Sequence, residues 1–212
     1  METENKDIIQ NIHEKKQQRT DILLTQKQKY VENMKTLLKC MIYLVVFGIF
    51  TVTFHINIIN AKIPSESMET TIMTGDRLFG YKNAYKNEDP QRNDIIIFND
   101  PMNPDTYLIK RIIGMPGDTL IFQDGKVYLN DLQHELNDYF CQGETTAGNL
   151  PDNTITVPEN CYFVMGDNRE NSFDSRYWTT KNGKNIPFVT RDMIIAKAIF
   201  RYYPFDNIGF LS

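Results

Sequence analysis

Hydrophobic and polar positions follow three different patterns in successive parts of the chain. Residues 1–39 are mostly polar, with apolar side chains at intervals and no Pro or Gly between residues 5 and 38, a pattern that predicts helix. Residues 40–59 read CMIYLVVFGIFTVTFHINII and contain no Asp, Glu, Lys or Arg. Beyond residue 61, short apolar runs alternate with turn-forming residues, which predicts β-strands.

The apolar stretch 40–59 predicts a transmembrane helix. Twenty helical residues rise about 30 Å, which is the thickness of the hydrocarbon core of a bilayer. A buried core helix is the alternative, and His55 and Asn57 near the end of the stretch favour it. However, the stretch is apolar on every side, unlike a half-buried helix. Its length and its start about forty residues into the chain are not those of an ordinary cleavable signal peptide.

The charges beside this stretch predict its orientation. Residues 1–39 carry eight Lys or Arg, whereas only Lys62 lies close to the stretch on its other side. The positive-inside rule therefore predicts a cell-membrane protein with residues 1–39 in the cytoplasm and residues 60–212 outside it. For residues 1–39, a solvated helical stalk is favoured over a helix that binds a partner or lies on a surface.

Residues 60–212 are predicted to form a mostly β, antiparallel domain. The Asp124-Gly125 pair between two apolar runs is a hairpin signal, and no alternation of strands with helices is present. Six runs are predicted as strands: 94–98, 107–113, 118–122, 126–129, 162–165 and 193–202.

Composition narrows the classes of function. The net charge of −4 and the pI of about 5.4 argue against a nucleic-acid-binding protein. Three cysteines without a Cys-x-x-Cys pair argue against a disulfide scaffold and a zinc site. We therefore expect no metal and no cofactor.

Two segments carry candidate catalytic side chains. Ser65 and Ser67 follow the apolar stretch, and in an extended chain they point the same way, so that one hydroxyl can attack while the other stabilises an oxyanion. A serine-rich linker is the alternative. Lys110 lies in an apolar run, where burial would lower its pKa, although a lysine in a strand is more often an exposed edge residue.

A third segment, 165–178, is a polar loop that contains the only Trp of the chain. Such a loop can support a catalytic site, or it can be a structural loop pinned by Asp174, Arg176 and Trp178. The three histidines do not favour a Ser-His-Asp triad, because His134 alone lies in the β domain, outside any recognisable motif. If the domain is a hydrolase, serine with lysine is the pair that the sequence supplies best.

Together these segments resemble the bacterial type I signal peptidases, a family of serine–lysine proteases. The matching segments occur in family order: Ser65–Ile72, Gly75–Asp76, Arg92–Phe98, Ile109–Asp118 and Gly166–Trp178. The resemblance covers residues 63–178, and the last segment matches almost residue for residue. Two positions depart from the family pattern: Thr70 stands where the family has proline, and Asn93 where it has glycine.

The resemblance implies a role for each matching residue. Ser67 is the expected nucleophile and Lys110 the general base, with the Ser65 hydroxyl and the Ser67 N–H as the oxyanion hole. Three further groups of residues are implied, as follows: Ser172 orients the Lys110 amine; Asp174 and Arg176 form a supporting ion pair near Asp167; and Ile63, Pro64 and Leu108 shape shallow pockets for small side chains.

The resemblance also implies a substrate and a domain plan. The expected substrates are signal peptides of exported preproteins, cut after an Ala-x-Ala-like motif close to the membrane and near the export translocon, with the substrate extended alongside residues 107–112. Residues 119–160 are the expected variable insertion into the catalytic β domain. Cys141 and Cys161 could form a disulfide, which the sequence does not decide.

Two other functions compete with this hypothesis. A catalytically silent, membrane-anchored β domain that binds extended peptides would share the topology and the groove, but it would be expected to lose Ser67 or Lys110. A self-cleaving serine–lysine protein of the stress-repressor type would need a DNA-binding head, and a membrane span occupies that place here.

Overall fold

The computed structural model describes residues 2–211, with side chains for residues 13 and 15–211. The chain divides into two compact units, Met1–Ile56 and Asn57–Ser212. The first unit consists of one long helix, α1 (Glu2–Asn57). The part Lys15–Asn57 is long and apolar enough to cross a membrane, and its most apolar 18 residues are not buried in the protein. An exposed apolar helix of this length fits a single membrane span.

The helix ends two residues before the predicted limit of the apolar stretch. α1 ends at Asn57, and Ile58 and Ile59 belong to the first strand, where they face Tyr81 and Gly80 of a neighbouring strand. The difference arises because both a membrane helix and a buried strand accept isoleucine, so hydropathy alone marks no boundary there.

The second unit is built from short strands. Within residues 2–211 these are β1 (Ile58–Lys62), β2 (Arg77–Tyr81), β3 (Ile95–Asn99), β4 (Tyr107–Gly114), β5 (Thr119–Gln123), β6 (Lys126–Leu129), β7 (Thr154–Thr156), β8 (Cys161–Met165), β9 (Val189–Thr190), β10 (Ile194–Tyr203) and β11 (Gly209–Phe210). Two short 3₁₀ helices, Arg191–Met193 and Phe205–Asn207, flank β10. Seven strands lie in the order β1-β2-β10-β3-β4-β8-β9, with β11 paired to β10, and a second sheet has the order β6-β5-β7.

The central strands of the large sheet are buried on both faces. In β3, Ile96 and Phe98 pack in a cluster with Trp178, whereas Ile95 and Ile97 pack in another with Met68. Because successive side chains of a strand point to opposite faces, a strand buried on both faces reads as a continuous apolar run. The segment Ile95–Phe98 is such a run.

The small sheet lies within residues 119–160, the predicted insertion. Its own cluster contains Leu120, Phe122 and Val127 together with Phe163 of the large sheet. The hairpin between β5 and β6 turns at Asp124 and Gly125, whose φ angles of 51° and 75° suit the predicted two-residue turn.

All strand pairs among the described residues are antiparallel. The prediction of a mostly β antiparallel domain after one apolar helix is therefore confirmed. Each of the six predicted strands is present, with its ends shifted by no more than one residue.

Candidate active site

The segment that carries Ser67 is held on the sheet by its apolar neighbours. Met68 and Ile72 are fully buried, and the Ile72 N–H donates to the Met68 carbonyl at 2.8 Å. Both backbone polar groups of Ile63 are hydrogen-bonded: its N–H donates to the Asp76 carbonyl, and its carbonyl accepts from the Gly75 N–H. Ser67 is thereby fixed beside a packed core, with 9% of its surface exposed.

The structure brings Ser67 and Lys110 together from positions 43 residues apart. Lys110 Nζ lies 2.6 Å from Ser67 Oγ, which is hydrogen-bond distance, and Lys110 is only 4% exposed. Lys110 is directed there by β4, in which it faces Ile96 of β3 while Arg111 faces Ile95. Adjacent residues of one strand thus serve opposite faces of the sheet.

The environment makes the Lys110 amine a usable base. Burial lowers its pKa from 10.5 to about 8, assisted by the Arg176 guanidinium and opposed by the carboxylates of Asp174, Asp167 and Asp100. At pH 7 about one lysine in ten would then be neutral, against about one in three thousand at the ordinary pKa. Since a general base must be unprotonated to accept a proton, burial is what makes this lysine competent.

Donors for an oxyanion lie beside the same hydroxyl. Ser65 Oγ is 3.5 Å from Ser67 Oγ. The Ser67 carbonyl accepts from the Asn168 N–H at 3.2 Å, while the Ser67 N–H has no acceptor among the described residues. A hydroxyl and a free backbone N–H adjacent to a nucleophile can stabilise the charge of a tetrahedral intermediate.

The loop after β8 lies under the site and is pinned by a buried ion pair. Arg176 binds Asp174 through two hydrogen bonds of 2.8 Å, and both residues are almost fully buried. Asp174 also accepts from the Gly166 N–H at 3.0 Å, and Arg176 donates to the Arg169 carbonyl at 2.8 Å. The predicted ion pair therefore ties together both ends of the loop.

Asp167 has a partner that the sequence analysis did not assign. Arg111 donates to its two carboxylate oxygens at 2.9 and 2.8 Å, and the Thr71 hydroxyl donates to it at 2.6 Å. Arg111 is 1% exposed and Asp167 is fully buried. The pair links β4, the serine segment and the loop after β8. In the sequence, the only indication of this ion pair was that Arg111 lies next to Lys110.

Phe140 joins this network from within the predicted insertion. Its ring lies 3.9 Å from the Arg111 guanidinium, and its carbonyl accepts from the Thr70 hydroxyl at 2.6 Å. The next residue but one, Gln142, donates its N–H to the Asp167 carbonyl at 2.8 Å. No local pattern in the sequence indicates these contacts, because they join residues about 25 to 70 positions apart.

Ser172 lies at the site without the predicted hydrogen bond. Its hydroxyl is buried and has no hydrogen-bond partner among the residues that the structure describes. Ser172 is nevertheless packed tightly against the loop, because a Cβ added to Gly166 would lie 2.3 Å from Ser172 Oγ and 2.2 Å from the Ser67 carbonyl oxygen. The role of Ser172 in orienting Lys110 stays a prediction.

Two grooves meet at Ser65, Ser67, Leu108 and Lys110. The apolar groove, of about 380 Å³, is lined further by residues 59–64, Met68, Ile97 and Ile109, and so contains the predicted pocket residues Ile63 and Pro64. The aromatic groove, of about 580 Å³, is lined further by Asp100, Glu170, Asn171, Ser172, Phe173 and Tyr177.

The apolar groove has a free strand edge. β4 pairs with β3 along Tyr107–Arg111, but its other edge pairs with β8 only from Arg111 onward. Residues 107–110 therefore have unpaired backbone groups toward the groove, which suit an extended peptide. The predicted docking edge of 107–112 is shorter than expected, because Arg111 and Ile112 are occupied by Met165 and Val164.

The structure also accommodates the two departures from the family pattern. Asn93 has a φ of 72°, a left-handed conformation that asparagine tolerates better than most residues. Thr70 uses the hydroxyl that proline lacks to bind Phe140.

Cys141 and Cys161 are both free thiols. Among the described residues, no three His, Cys, Asp or Glu side chains are grouped to hold a metal ion.

The sequence of the chain is similar to those of known proteins. The pattern of the family described as signal peptidase, peptidase S26, matches residues 34–203. The chain belongs to this family. A probable signal peptidase I-2 of Synechocystis is 36% identical over 155 residues, which are 71% of this chain and 65% of the relative. The signal peptidase I of Leptolyngbya laminosa is also 36% identical, over 71% of each chain.

Two further matches cover nearly the whole length of the matched protein. The signal peptidase IB of Staphylococcus aureus is 27% identical over 87% of this chain and 95% of the relative. A crystal structure of a signal peptidase I from Enterococcus faecalis is 34% identical, with a TM-score of 0.40 over 52% of this chain and 97% of that chain. The match of the family pattern and the relatives at 36% identity confirm the resemblance to type I signal peptidases at the level of the family.

Proposed function

We propose that this chain is a membrane-anchored serine endopeptidase that removes N-terminal signal peptides from exported preproteins. The observation that carries the proposal is the 2.6 Å contact between Ser67 Oγ and a buried Lys110 amine whose pKa is lowered to about 8. Membership of the peptidase S26 family supports the same chemistry.

The reaction follows from the positions of the groups. Ser67 Oγ attacks the scissile carbonyl while neutral Lys110 accepts the hydroxyl proton. The Ser65 hydroxyl and the Ser67 N–H donate to the oxyanion. As the intermediate collapses, Lys110 gives its proton to the leaving amine, and an acyl group stays on Ser67. Lys110 then deprotonates a water molecule, which attacks the acyl carbonyl. As this second intermediate collapses, Lys110 returns the proton to Ser67 Oγ, and the signal peptide leaves with a free carboxylate.

The apolar groove would select the residues before the cut. An extended chain lying along residues 107–110 would direct alternate side chains toward the protein. Ile63, Pro64 and Leu108 then restrict the first and third positions before the cut to small side chains such as Ala, because larger ones are excluded sterically. α1 would hold the domain at the outer face of the cell membrane, near the translocon from which the substrates emerge.

Cleavage of a preprotein by the full-length, detergent-solubilised chain tests the proposal, with the cut site read by mass spectrometry. We expect one cut after a small-x-small motif. Ser67→Ala and Lys110→Met should each lower kcat by more than about 10³-fold, and Ser65→Ala by about 10²- to 10³-fold. Lys126→Met is the matched control, since Lys126 is an exposed lysine paired with Glu135 outside both grooves.

The outcome separates the enzyme from a silent binding domain. A folded wild-type chain that binds the preprotein without cutting it would support the binding domain instead. Retention of activity by purified Ser67→Ala or Lys110→Met would exclude the dyad.

A further inference from the structure

We propose that the aromatic groove binds the first residues after the cut, and that Phe173 makes the enzyme prefer aromatic over acidic side chains there. The inference rests on the proposed function, and it assigns the part of the substrate that the apolar groove does not accommodate. The occupant is the beginning of the mature protein.

The connection of the two grooves determines which part of the substrate each can hold. They share Ser65, Ser67, Leu108 and Lys110, so the reacting carbonyl must lie at their junction. In an extended peptide, which rises about 3.3 Å per residue, the residues before and after the cut leave the junction in opposite directions. When the residues before the cut lie on the free edge of β4, the aromatic groove is open to those after it.

The aromatic groove contains a pair of stacked aromatic rings. Phe173 and Tyr177 are stacked, with ring centroids 6.2 Å apart and an interplanar angle of 18°. Tyr177 is held from two other directions: the Arg176 guanidinium lies 5.1 Å from its ring centroid, and a Cβ added to Gly148 would lie 2.9 Å from the edge of the ring. Arg176 is itself paired with Asp174, so the Tyr177 ring packs against a buried and paired guanidinium.

Phe173 is exposed although its neighbours are buried. It is 57% exposed, whereas Ser172 and Asp174 on either side of it are 6% and 0% exposed. The loop is therefore anchored without the phenyl ring, which lies over the groove and is available to a ligand. Exposed aromatic side chains next to a reactive centre typically contribute binding area at low entropic cost.

The charges of the groove disfavour an acidic ligand. Asp100 and Glu170 supply two carboxylates to the lining, and Lys110 is the one basic side chain there. As the base of the reaction, Lys110 is neutral when the peptide is attacked. A carboxylate on the bound peptide would therefore meet like charges, which are repulsive at close range. Aromatic side chains avoid this repulsion and gain stacking with Phe173.

Peptides that differ only after the cut test the inference on the full-length chain. All share one sequence up to the cut, with Ala at the first and third positions before it. They continue with Phe-Phe, Gly-Gly or Glu-Glu. We expect kcat/KM to fall in that order, with Phe-Phe cleaved about three- to tenfold faster than Gly-Gly.

Variants assign this preference to the groove. Phe173→Ala should lower kcat/KM for Phe-Phe to the value for Gly-Gly, so that the ratio between the two peptides becomes about one. Glu170→Gln, which keeps the oxygen that accepts from the Glu144 N–H, should reduce the penalty for Glu-Glu. Phe205→Ala is the matched control, because Phe205 is 80% exposed and lines neither groove.

Each alternative result is distinguishable. Equal cleavage of the three peptides by the wild type would overturn the inference and leave the peptidase proposal standing. An equal loss on all peptides in Phe173→Ala would show a structural role for the ring and would also overturn it. No cleavage of any peptide would contradict the proposed function itself.

Discussion

Gly166 allows the loop after β8 to pack directly against the main chain of Ser67. A Cβ at this position would lie 2.2 Å from the Ser67 carbonyl oxygen and 2.3 Å from Ser172 Oγ. The first of these atoms belongs to the backbone, so the clash cannot be relieved by a side-chain rotation. The position of Ser67 against Lys110 therefore depends on the absence of a side chain at residue 166.

Gly166→Ala should displace Ser67 and lower kcat by about 10²-fold or more, because a shift of about 1 Å at a reacting group has an effect of that size. Gly209→Ala is the control, since a Cβ at residue 209 meets nothing within 4 Å. Steady-state kinetics on a signal-peptide substrate measure both variants. Full activity of Gly166→Ala would contradict the contact.

Asn93 occupies a left-handed backbone conformation in a tight turn before β3. Its φ is 72°, and its carbonyl accepts from Arg111 at 2.9 Å. Glycine adopts this conformation without strain, whereas alanine is disfavoured by about 1–2 kcal/mol. The turn thus supports the arginine that binds Asp167.

Asn93→Ala should lower the free energy of unfolding by about 1 kcal/mol, and Asn93→Gly should change it by less than about 0.5 kcal/mol. The fluorescence of Trp178, which is the only Trp and is 1% exposed, reports the unfolding of the β domain. Equal stabilities of the two variants would argue against the strained turn.

At the scale of elements, a contact between Thr70 and Phe140 connects the segment that carries Ser67 to the loop between β6 and β7. The Thr70 hydroxyl donates to the Phe140 carbonyl at 2.6 Å, and the Phe140 ring covers Arg111. A proline at residue 70 would lack this donor. The hydrogen bond therefore gives the threonine a structural function of its own.

Thr70→Val keeps the shape of the side chain but removes the donor, leaving the Phe140 carbonyl unpaired. We expect a loss of about 1–2 kcal/mol in the free energy of unfolding, followed by Trp178 fluorescence, together with a lower kcat. Thr119→Val, which removes an exposed hydroxyl contact with Thr156, should have a smaller effect. Unchanged stability and kcat in Thr70→Val would show that the hydrogen bond does not support the site.

The sequence predicted elements better than their contacts. Strands such as Ile95–Asn99 and Tyr107–Gly114 follow from local apolar runs. Five of the strands within residues 2–211 were not predicted. In β1, Ile58–Lys62 continues the apolar stretch, and in β2, Arg77–Tyr81 is mixed in polarity. β7, β9 and β11 are only two or three residues long. Neither sheet order nor the position of Phe140 over Arg111 is encoded in local periodicity, since both depend on long-range packing.

In the candidate site, too, the sequence predicted which residues matter better than which residues contact each other. The alternation of side chains in β4 explains why Lys110 and Arg111 point to opposite faces, and motif resemblance joined Lys110 to Ser67. No local pattern joined Arg111 to Asp167, which lies 56 residues away. The unpartnered hydroxyl of Ser172 is likewise a property of the packed loop and not of its sequence.

For the whole molecule, the apolar helix and the charges beside it predict a single orientation in the membrane. Residues 1–39 carry eight Lys or Arg, and residues 40–57 of α1 carry none. Charge asymmetry of this kind retains the positive side in the cytoplasm. The catalytic domain would then face the exported substrates.

Protease added outside intact spheroplasts that express the chain should digest the β domain and leave a protected N-terminal fragment of about 6–7 kDa, since residues 1–59 are shielded by the membrane. Mass spectrometry identifies the fragment. Spheroplasts opened before digestion provide the control, in which residues 1–39 should also be lost. A protected β domain would contradict the orientation.

The most direct test of the central claim is the pH dependence with which a serine-directed acylating probe modifies Ser67. We expect one adduct, at Ser67, whose rate of formation rises about tenfold per pH unit below about pH 8 and then levels off, because only neutral Lys110 accepts the proton. In Lys110→Met the rate should fall by more than about 10³-fold. An adduct at another residue, or an unchanged rate in Lys110→Met, would contradict the serine–lysine dyad.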